Sequence, residues 1–128
     1  MSPSRHVDSY YAASLTHPYH GSSLTEDLQT EIVIIGGGYT GLSAALHLAG
    51  RGHEVVLLEA CKVGWGASGR NGGQVCTGQR KEQDELEQML GMDHARALWA
   101  LSEEAKDTVR HLIRAHEIDC AYKNGIAH

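Results

Sequence analysis

Phenylalanine is absent from this 128-residue sequence, and only 5% of the residues are aromatic. Cysteine is also scarce. Cys61, Cys76 and Cys120 are too few, and odd in number, to form a disulfide framework. The longest apolar run falls far short of the roughly 20 residues that cross a bilayer. These absences argue against a disulfide-rich secreted domain and against a membrane protein, and they leave the core to aliphatic side chains.

Basic residues form no patch. The sequence has 11 lysines and arginines against 16 acidic residues, for a formal net charge of −5. Since nucleic-acid binding needs a clustered basic surface, we expect no nucleic-acid partner. The nine histidines stand in no metal-binding spacing, so we expect no metal site. No apolar run follows Arg5 as in a signal peptide, and a cytoplasmic location is therefore expected.

The first half of the chain predicts an irregular arm followed by a βαβ unit. Residues 1–30 are polar and predict at most a short helical turn near Tyr10–Leu15. Continuous apolar runs then predict a strand over Glu31–Ile35, buried on both faces as in a parallel sheet, and a second strand over Glu54–Glu59. Between them, Tyr39–Ala49 has helical spacing. Its predicted apolar face consists of Leu42, Ala45, Leu46 and Ala49.

The second half predicts helices from Lys81 to Glu117. A short helix is expected to end at Gly91, and a longer one to begin at Asp93 as its N-cap. Residues 120–128 predict a turn at Asn124 and Gly125 with a strand beginning around it. The apolar stripe of the longer helix, interpreted as core, is Leu98, Leu101, Ala105, Thr108 and Leu112.

The turn between the first strand and the helix carries a G-x-G-x-x-G motif at residues 36–41. In such a motif Gly36 permits the sharp turn, Gly38 lets a pyrophosphate approach the backbone, and Gly41 lets the helix pack closely. Glu59 ends the second strand 18 residues after Gly41, where a carboxylate can accept hydrogen bonds from ribose hydroxyls and repel a 2′-phosphate. A tight turn that binds nothing is the alternative, and this motif alone does not separate FAD from NAD.

A glycine-rich stretch over residues 64–78 follows, with six glycines in fifteen residues. A flexible linker has this glycine content, but it does not need the side chains of Trp65, Arg70, Asn71 and Gln74. Ser68, Arg70 and Asn71 offer polar groups, and Arg70 could balance pyrophosphate charge or hold an anionic group of a substrate. From the residues alone, a cofactor-wrapping loop and an ordinary surface loop both remain open.

Two segments together indicate a family. Glu31–Ala60, with the turn GGGYTGLS, and Gly64–Gln74, with the loop GASGRNGGQ, resemble the D-amino-acid-oxidase-like FAD-dependent oxidoreductases. The resemblance implies an α/β fold in which a Rossmann-like FAD-binding βαβ unit is followed by helices. It also implies that 1–30 is an N-terminal arm, that 31–128 is the amino-terminal part of an FAD-binding domain, and that the parallel sheet is incomplete. The remainder of that domain and the substrate domain would be absent.

The same resemblance implies FAD as cofactor and an amine as substrate. A primary or secondary amine of the γ-glutamylputrescine type would be oxidised to an imine, which hydrolyses to an aldehyde, and oxygen would be reduced to peroxide. The residues that match the turn and the acid, expected at the ADP half, are Gly36, Gly38, Tyr39, Thr40, Gly41 and Glu59. The residues that match the loop, expected near the pyrophosphate, ribityl chain and ring, are Ser68, Arg70, Asn71, Gly73 and Gln74. No catalytic acid or base is identified.

Two other functions explain part of the pattern. A stand-alone, non-catalytic module that binds FAD or ADP would use the turn and Glu59, and could complete its sheet by dimerising. An NAD-dependent dehydrogenase also explains the turn, but it leaves the Gly66–Gln74 loop without a role. The oligomeric state does not follow from the sequence.

Overall fold

A computed structural model describes residues 5–16, 19 and 21–125, which form two compact units divided between Gly72 and Gly73. In the first unit, the short helix α1 spans Tyr10–Ala13, strand β1 spans Ile32–Ile35, helix α2 spans Tyr39–Ala49 and strand β2 spans Val55–Leu58. In the second unit, helix α3 spans Gln83–Leu90 and helix α4 spans Met92–Ala115. Within the described residues no helix is both long and apolar enough to span a membrane.

The two strands pair in parallel, with Ile32 opposite Val55 and Ile35 opposite Leu58. Because α2 connects them, the predicted βαβ unit is confirmed, and the strand bounds lie within one residue of those expected. Within the described ranges the sheet has these two strands alone, so the α/β class with an incomplete parallel sheet is confirmed. The Glu31 carboxylate joins the starts of the strands, since it lies 2.8 Å from His53 Nδ1 and accepts the Glu54 N–H at 3.2 Å.

The prediction that the first strand is buried on both faces is wrong. Its side chains alternate, and Val33 is 54% and Ile35 87% exposed in this structure. The physical reason is that α2 covers one face of the pair, and no described element covers the other. The predicted face of α2 also needs correction, because Leu42 is 40% and Leu46 39% exposed. The less exposed residues of α2 are mostly small ones, which let the helix lie close to the strands: Gly41, Ala44, Ala45 and Leu48.

Helices α3 and α4 pack against each other, with Leu86 and Ala95 buried. The prediction that Asp93 is the N-cap of α4 is wrong. Gly91, at φ 81°, ends α3 and is itself the residue that precedes α4, so Asp93 lies in the first turn. A glycine reaches this positive φ without the steric cost that a side chain would add. It therefore separates two helices by a single residue.

The predicted stripe of α4 is partly wrong. Leu98 and Leu112 are half-buried as expected, but the other three residues are exposed, and the buried residues of the helix are Ala95 and Ser102. The face with these buried residues meets the segment that precedes α3, and the bonds are Gly78 N–H to Ser102 Oγ at 3.0 Å and Gln79 Nε2 to Leu98 O at 3.3 Å. The expected strand near Asn124 does not form as far as residue 125, and residues 126–128 lie outside the described part.

Candidate functional site

The glycine turn between β1 and α2 is in direct backbone contact with the end of β2 and with the first turn of α2. Gly36 has a φ of 105° and donates its N–H to Leu58 O at 2.7 Å, which fixes the turn to the end of β2. A Cβ added at Gly41 would lie 1.9 Å from the backbone oxygen of Gly36. Because real Cβ atoms do not approach an oxygen that closely, the first turn of α2 requires glycine at position 41.

The amino end of α2 presents backbone donors. Gly38 is the N-cap and offers no side-chain acceptor. Ser68 Oγ accepts the Tyr39 N–H at 3.0 Å, although Ser68 lies 29 residues further along the chain. Within the described residues, the N–H groups of Thr40 and Gly41 have no acceptor. An α-helix leaves its first N–H groups unpaired and carries about half a positive charge there, which favours an anion.

Glu59, directly after β2, binds two backbone segments at once. Its Oε2 accepts the Gly37 N–H at 2.7 Å, and its Oε1 accepts the Cys61 N–H at 2.8 Å. The Gly37 N–H, and to a smaller extent the Cys61 N–H, lowers the pKa of the Glu59 carboxyl below its ordinary value. The group is therefore an anion at neutral pH. The Ala60 N–H adds a weaker third donor, and because the two carboxylate oxygens together have about four acceptor sites, capacity remains for a further donor.

The loop that follows folds back onto the glycine turn. Gly64 donates its N–H to Gly37 O at 2.9 Å, and a short 3₁₀ turn over Ala67–Gly69 brings Ser68 to the start of α2. A Cβ added at Gly69 would lie 2.1 Å from Gly64 O, so the loop also closes on itself by backbone contact. These contacts distinguish it from a flexible spacer, whose backbone makes no fixed contacts.

Two polar side chains of this loop are held in place. Asn71 Nδ2 lies 3.1 Å from the Tyr39 hydroxyl and 2.9 Å from Ser68 O, which ties the end of the loop to the helix start. Arg70 donates its Nε–H to Gly66 O at 3.2 Å, and its guanidinium carbon lies 5.0 Å from the centre of the Trp65 ring. Trp65, one of the side chains that a flexible spacer would not need, in turn donates its Nε1–H to the backbone oxygen of Arg5 at 3.1 Å, a partner that the sequence did not indicate.

Most of the residues expected at a cofactor lie in the first unit. The turn residues, Glu59, Ser68 and Asn71 are linked by the hydrogen bonds given above, and Arg70 lies on the same loop. Gly73 (φ 71°) and Gln74 begin the second unit, so their role stays a prediction. Sequence reasoning missed Gly37, which contacts Glu59 through its N–H and Gly64 through its oxygen. Its place inside the G-x-G-x-x-G motif was the available signal.

The residues present fit a dinucleotide. The unpaired N–H groups of Thr40 and Gly41 suit a phosphate, and an ionised Glu59 with remaining acceptor sites suits ribose hydroxyls. The space next to Gly36 is open, since an added Cβ would meet nothing within 4 Å. A single compact unit thus contains donors for a phosphate, an acceptor for a sugar diol, and a stretch of backbone that a ligand can approach closely.

Residues 31–127 match the DAO family model, described as FAD dependent oxidoreductase. The chain belongs to this family. Its description favours FAD over NAD, which the glycine turn alone did not decide. The chain is 45% identical over 120 residues to gamma-glutamylputrescine oxidoreductase of Escherichia coli. It is 41% identical over 122 residues to "Probable oxidoreductase OrdL" of Haemophilus influenzae, and 48% identical over 97 residues to the protein of the same name from Rhizobium meliloti.

These matches cover 94%, 95% and 76% of this chain, respectively. The chain covers 28% of the length of each of the first two relatives and 23% of the third. It therefore corresponds to a limited part of each relative. No solved structure matches the chain.

Proposed function

We propose that this chain forms the FAD-binding part of an oxidoreductase that oxidises an amine of the γ-glutamylputrescine type, in the cytoplasm, with oxygen as electron acceptor and peroxide as product. The observation that carries the cofactor assignment is the joining of Glu59, the glycine turn and the 64–71 loop within one unit. The 45% identity to gamma-glutamylputrescine oxidoreductase supports the substrate class. When bound, FAD supplies a ring that accepts a hydride equivalent from the carbon next to the amine.

The turn and Glu59 would hold the ADP half. Gly36 faces open space, Gly41 lets the first turn of α2 lie against the Gly36 oxygen, and Gly38 adds no side chain at the N-cap, where a Cβ would lie 2.9 Å from Ser68 Oγ. A pyrophosphate can therefore approach the start of α2. The N–H groups of Thr40 and its neighbour Gly41 would donate to phosphate oxygens, with the helix dipole adding a favourable charge. The free acceptor sites of Glu59 would receive the ribose hydroxyls, and its negative charge disfavours a 2′-phosphate.

The loop would hold the part of the cofactor nearer the ring. Arg70 brings a cation that offsets phosphate charge or binds an anionic substrate group, since guanidinium binds oxyanions strongly. Ser68 and Asn71 fix the loop against Tyr39 and orient it. Gly73 and Gln74 are assigned here by resemblance. We assign no catalytic acid or base, because an amine that arrives neutral can lose a hydride equivalent without one.

The test uses the full-length protein that contains this chain. Purified protein should be yellow, and anaerobic γ-glutamylputrescine should bleach its flavin absorbance. Admission of oxygen should then restore the colour and release peroxide. Putrescine and a free amino acid serve as comparison substrates.

Each negative result removes a different part of the proposal. Protein that neither retains nor rebinds FAD would contradict the cofactor assignment. Yellow protein that only a free amino acid can reduce would contradict the amine substrate. Yellow protein that no amine or amino acid reduces would favour a non-catalytic binding module.

A further inference from the structure

The 64–71 loop is attached on a second side, to the chain segment before β1. On one side it meets the glycine turn through Gly64 and Ser68. On the other, Trp65 donates its Nε1–H to Arg5 O at 3.1 Å. The Arg5 end of this second attachment lies before the family match, which begins at residue 31, so a segment outside the match contacts the loop within it. The match to the Escherichia coli relative covers 94% of the chain and thus includes most of that segment.

Trp65 also sets the environment of Arg70. The Arg70 guanidinium carbon lies 5.0 Å from the centre of the Trp65 ring, within the range in which a cation is attracted to an aromatic face. Nε of Arg70 is bonded to Gly66 O. Among the described residues its four terminal N–H donors have no acceptor. The guanidinium is therefore held by the hydrogen bond from Nε and by the Trp65 ring on one face, while its terminal N–H donors remain available for a ligand.

Arg70 has room to adopt other positions. It lines a cavity of about 340 Å³ between the α1 segment and the loop, together with His6, Tyr11 and Lys62. A long, exposed side chain beside such a space loses rotamer entropy when it is fixed in one orientation. The Trp65 ring opposes that freedom, and the bond to Arg5 fixes the ring.

We propose that Trp65 is a positioning residue that orients the Arg70 guanidinium for an oxyanion of the cofactor or substrate, and that the segment before β1 holds Trp65 in place. This inference rests on the proposed function, because it takes Arg70 as a cofactor or substrate contact. It extends that function by assigning Trp65 and the Arg5 backbone a role in binding.

The test compares W65L, W65F, R70A and the double variant W65L/R70A in the full-length flavoprotein, with W99L as the control for loss of a partly exposed tryptophan in the second unit. The readouts are the FAD dissociation constant, the visible circular dichroism of the bound flavin, the KM and kcat for the amine, and the melting temperature. W65L should raise the FAD dissociation constant or the KM by about tenfold, as expected when a cation–π contact and a hydrogen bond are lost together. W65F keeps an aromatic ring beside Arg70 but loses the Nε1–H to Arg5 O, so it should recover only part of this loss, and full recovery would contradict the role of the segment before β1.

The double variant decides whether Trp65 acts through Arg70. If it does, W65L/R70A should bind FAD and amine no more weakly than R70A alone. Effects that multiply in the double variant, or a W65L protein indistinguishable from wild type and W99L, would overturn the inference. If W65L does not fold, W65F and W65F/R70A give the same comparison through the lost Nε1–H. Colourless wild-type protein would instead reject the proposed function, so the two failures are distinguishable.

Discussion

Gly41 and Gly36 are in backbone contact across the start of α2, and a Cβ at position 41 would lie 1.9 Å from the Gly36 oxygen. This contact brings the first turn of the helix against the end of β1. It has a direct energetic consequence, because neither partner is a flexible side chain that can move aside. Any residue other than glycine at position 41 must displace the helix or the turn.

We therefore expect G41A to lower the free energy of unfolding of the full-length holoenzyme by about 3 kcal/mol, at the upper end of overpacking costs. Chemical denaturation followed by circular dichroism measures this change. The matched control is G66A, since a Cβ at Gly66 meets nothing within 4 Å and its φ of −76° suits any residue. Equal stability of G41A and G66A would contradict the close approach.

G69A tests the backbone contact inside the loop. A Cβ at Gly69 would lie 2.1 Å from Gly64 O, so the substitution must open the loop and move Ser68 away from Tyr39. Because α2 and the strands do not depend on Gly69, FAD affinity should fall by about tenfold or more, with a smaller effect on the melting temperature. Titration of the apoprotein with FAD measures the affinity. A G69A protein that binds FAD as G66A does would show that the loop does not contribute.

S68A tests the acceptor for the first N–H group of α2. Without Ser68 Oγ, the Tyr39 N–H loses its partner at 3.0 Å. Removal of a side-chain acceptor at a helix start costs about 0.5–2 kcal/mol, and we expect a loss of stability in this range. The control is S43A, which removes an exposed hydroxyl from the body of the same helix. Thermal unfolding should separate the two variants, and equal melting temperatures would argue against the cap.

We expect the contribution of Glu59 to the free energy of unfolding to depend on pH. Its folded-state pKa lies below the ordinary value of 4.5, chiefly because Gly37 donates to it and then because Cys61 does. A group whose pKa is depressed on folding contributes stability that is present above its unfolded pKa and is lost as pH falls through the folded pKa. The stability difference between wild type and E59Q should thus be constant above pH 4.5 and shrink below it. Denaturation from pH 7 to pH 3 measures it, and a difference independent of pH would contradict the assignment.

The fold around the site could be predicted from local patterns. The bounds of α2 follow from glycines on both sides of a helical run, and the two strands from short apolar runs of β-branched residues and leucine. Glu59 was located by its spacing from the glycine motif. Each of these features depends on residues that are close together in the sequence.

The errors come from effects that local patterns do not contain. Asp93 is a favourable N-cap residue, but Gly91 takes the N-cap position of α4 two residues earlier, because its positive φ changes the chain direction directly after α3. The face of α4 was partly misassigned because the buried positions hold a small and a polar residue, Ala95 and Ser102, which an apolar pattern does not mark. The contacts of Ser68 with Tyr39 and of Trp65 with Arg5 span 29 and 60 residues, so spacing could not reveal them.

The bonds from Gly36 to Leu58, from Gly37 to Glu59 and from Gly64 to Gly37 connect the ends of both strands and the loop in one closed circuit. Opening any one of these links removes support from the next, so the segments should exchange their amide hydrogens as a single cooperative unit. A ligand bound at this circuit would slow the exchange of all of them together. The site and the end of the sheet would then open with the same free energy of local unfolding, and cofactor binding would raise that free energy.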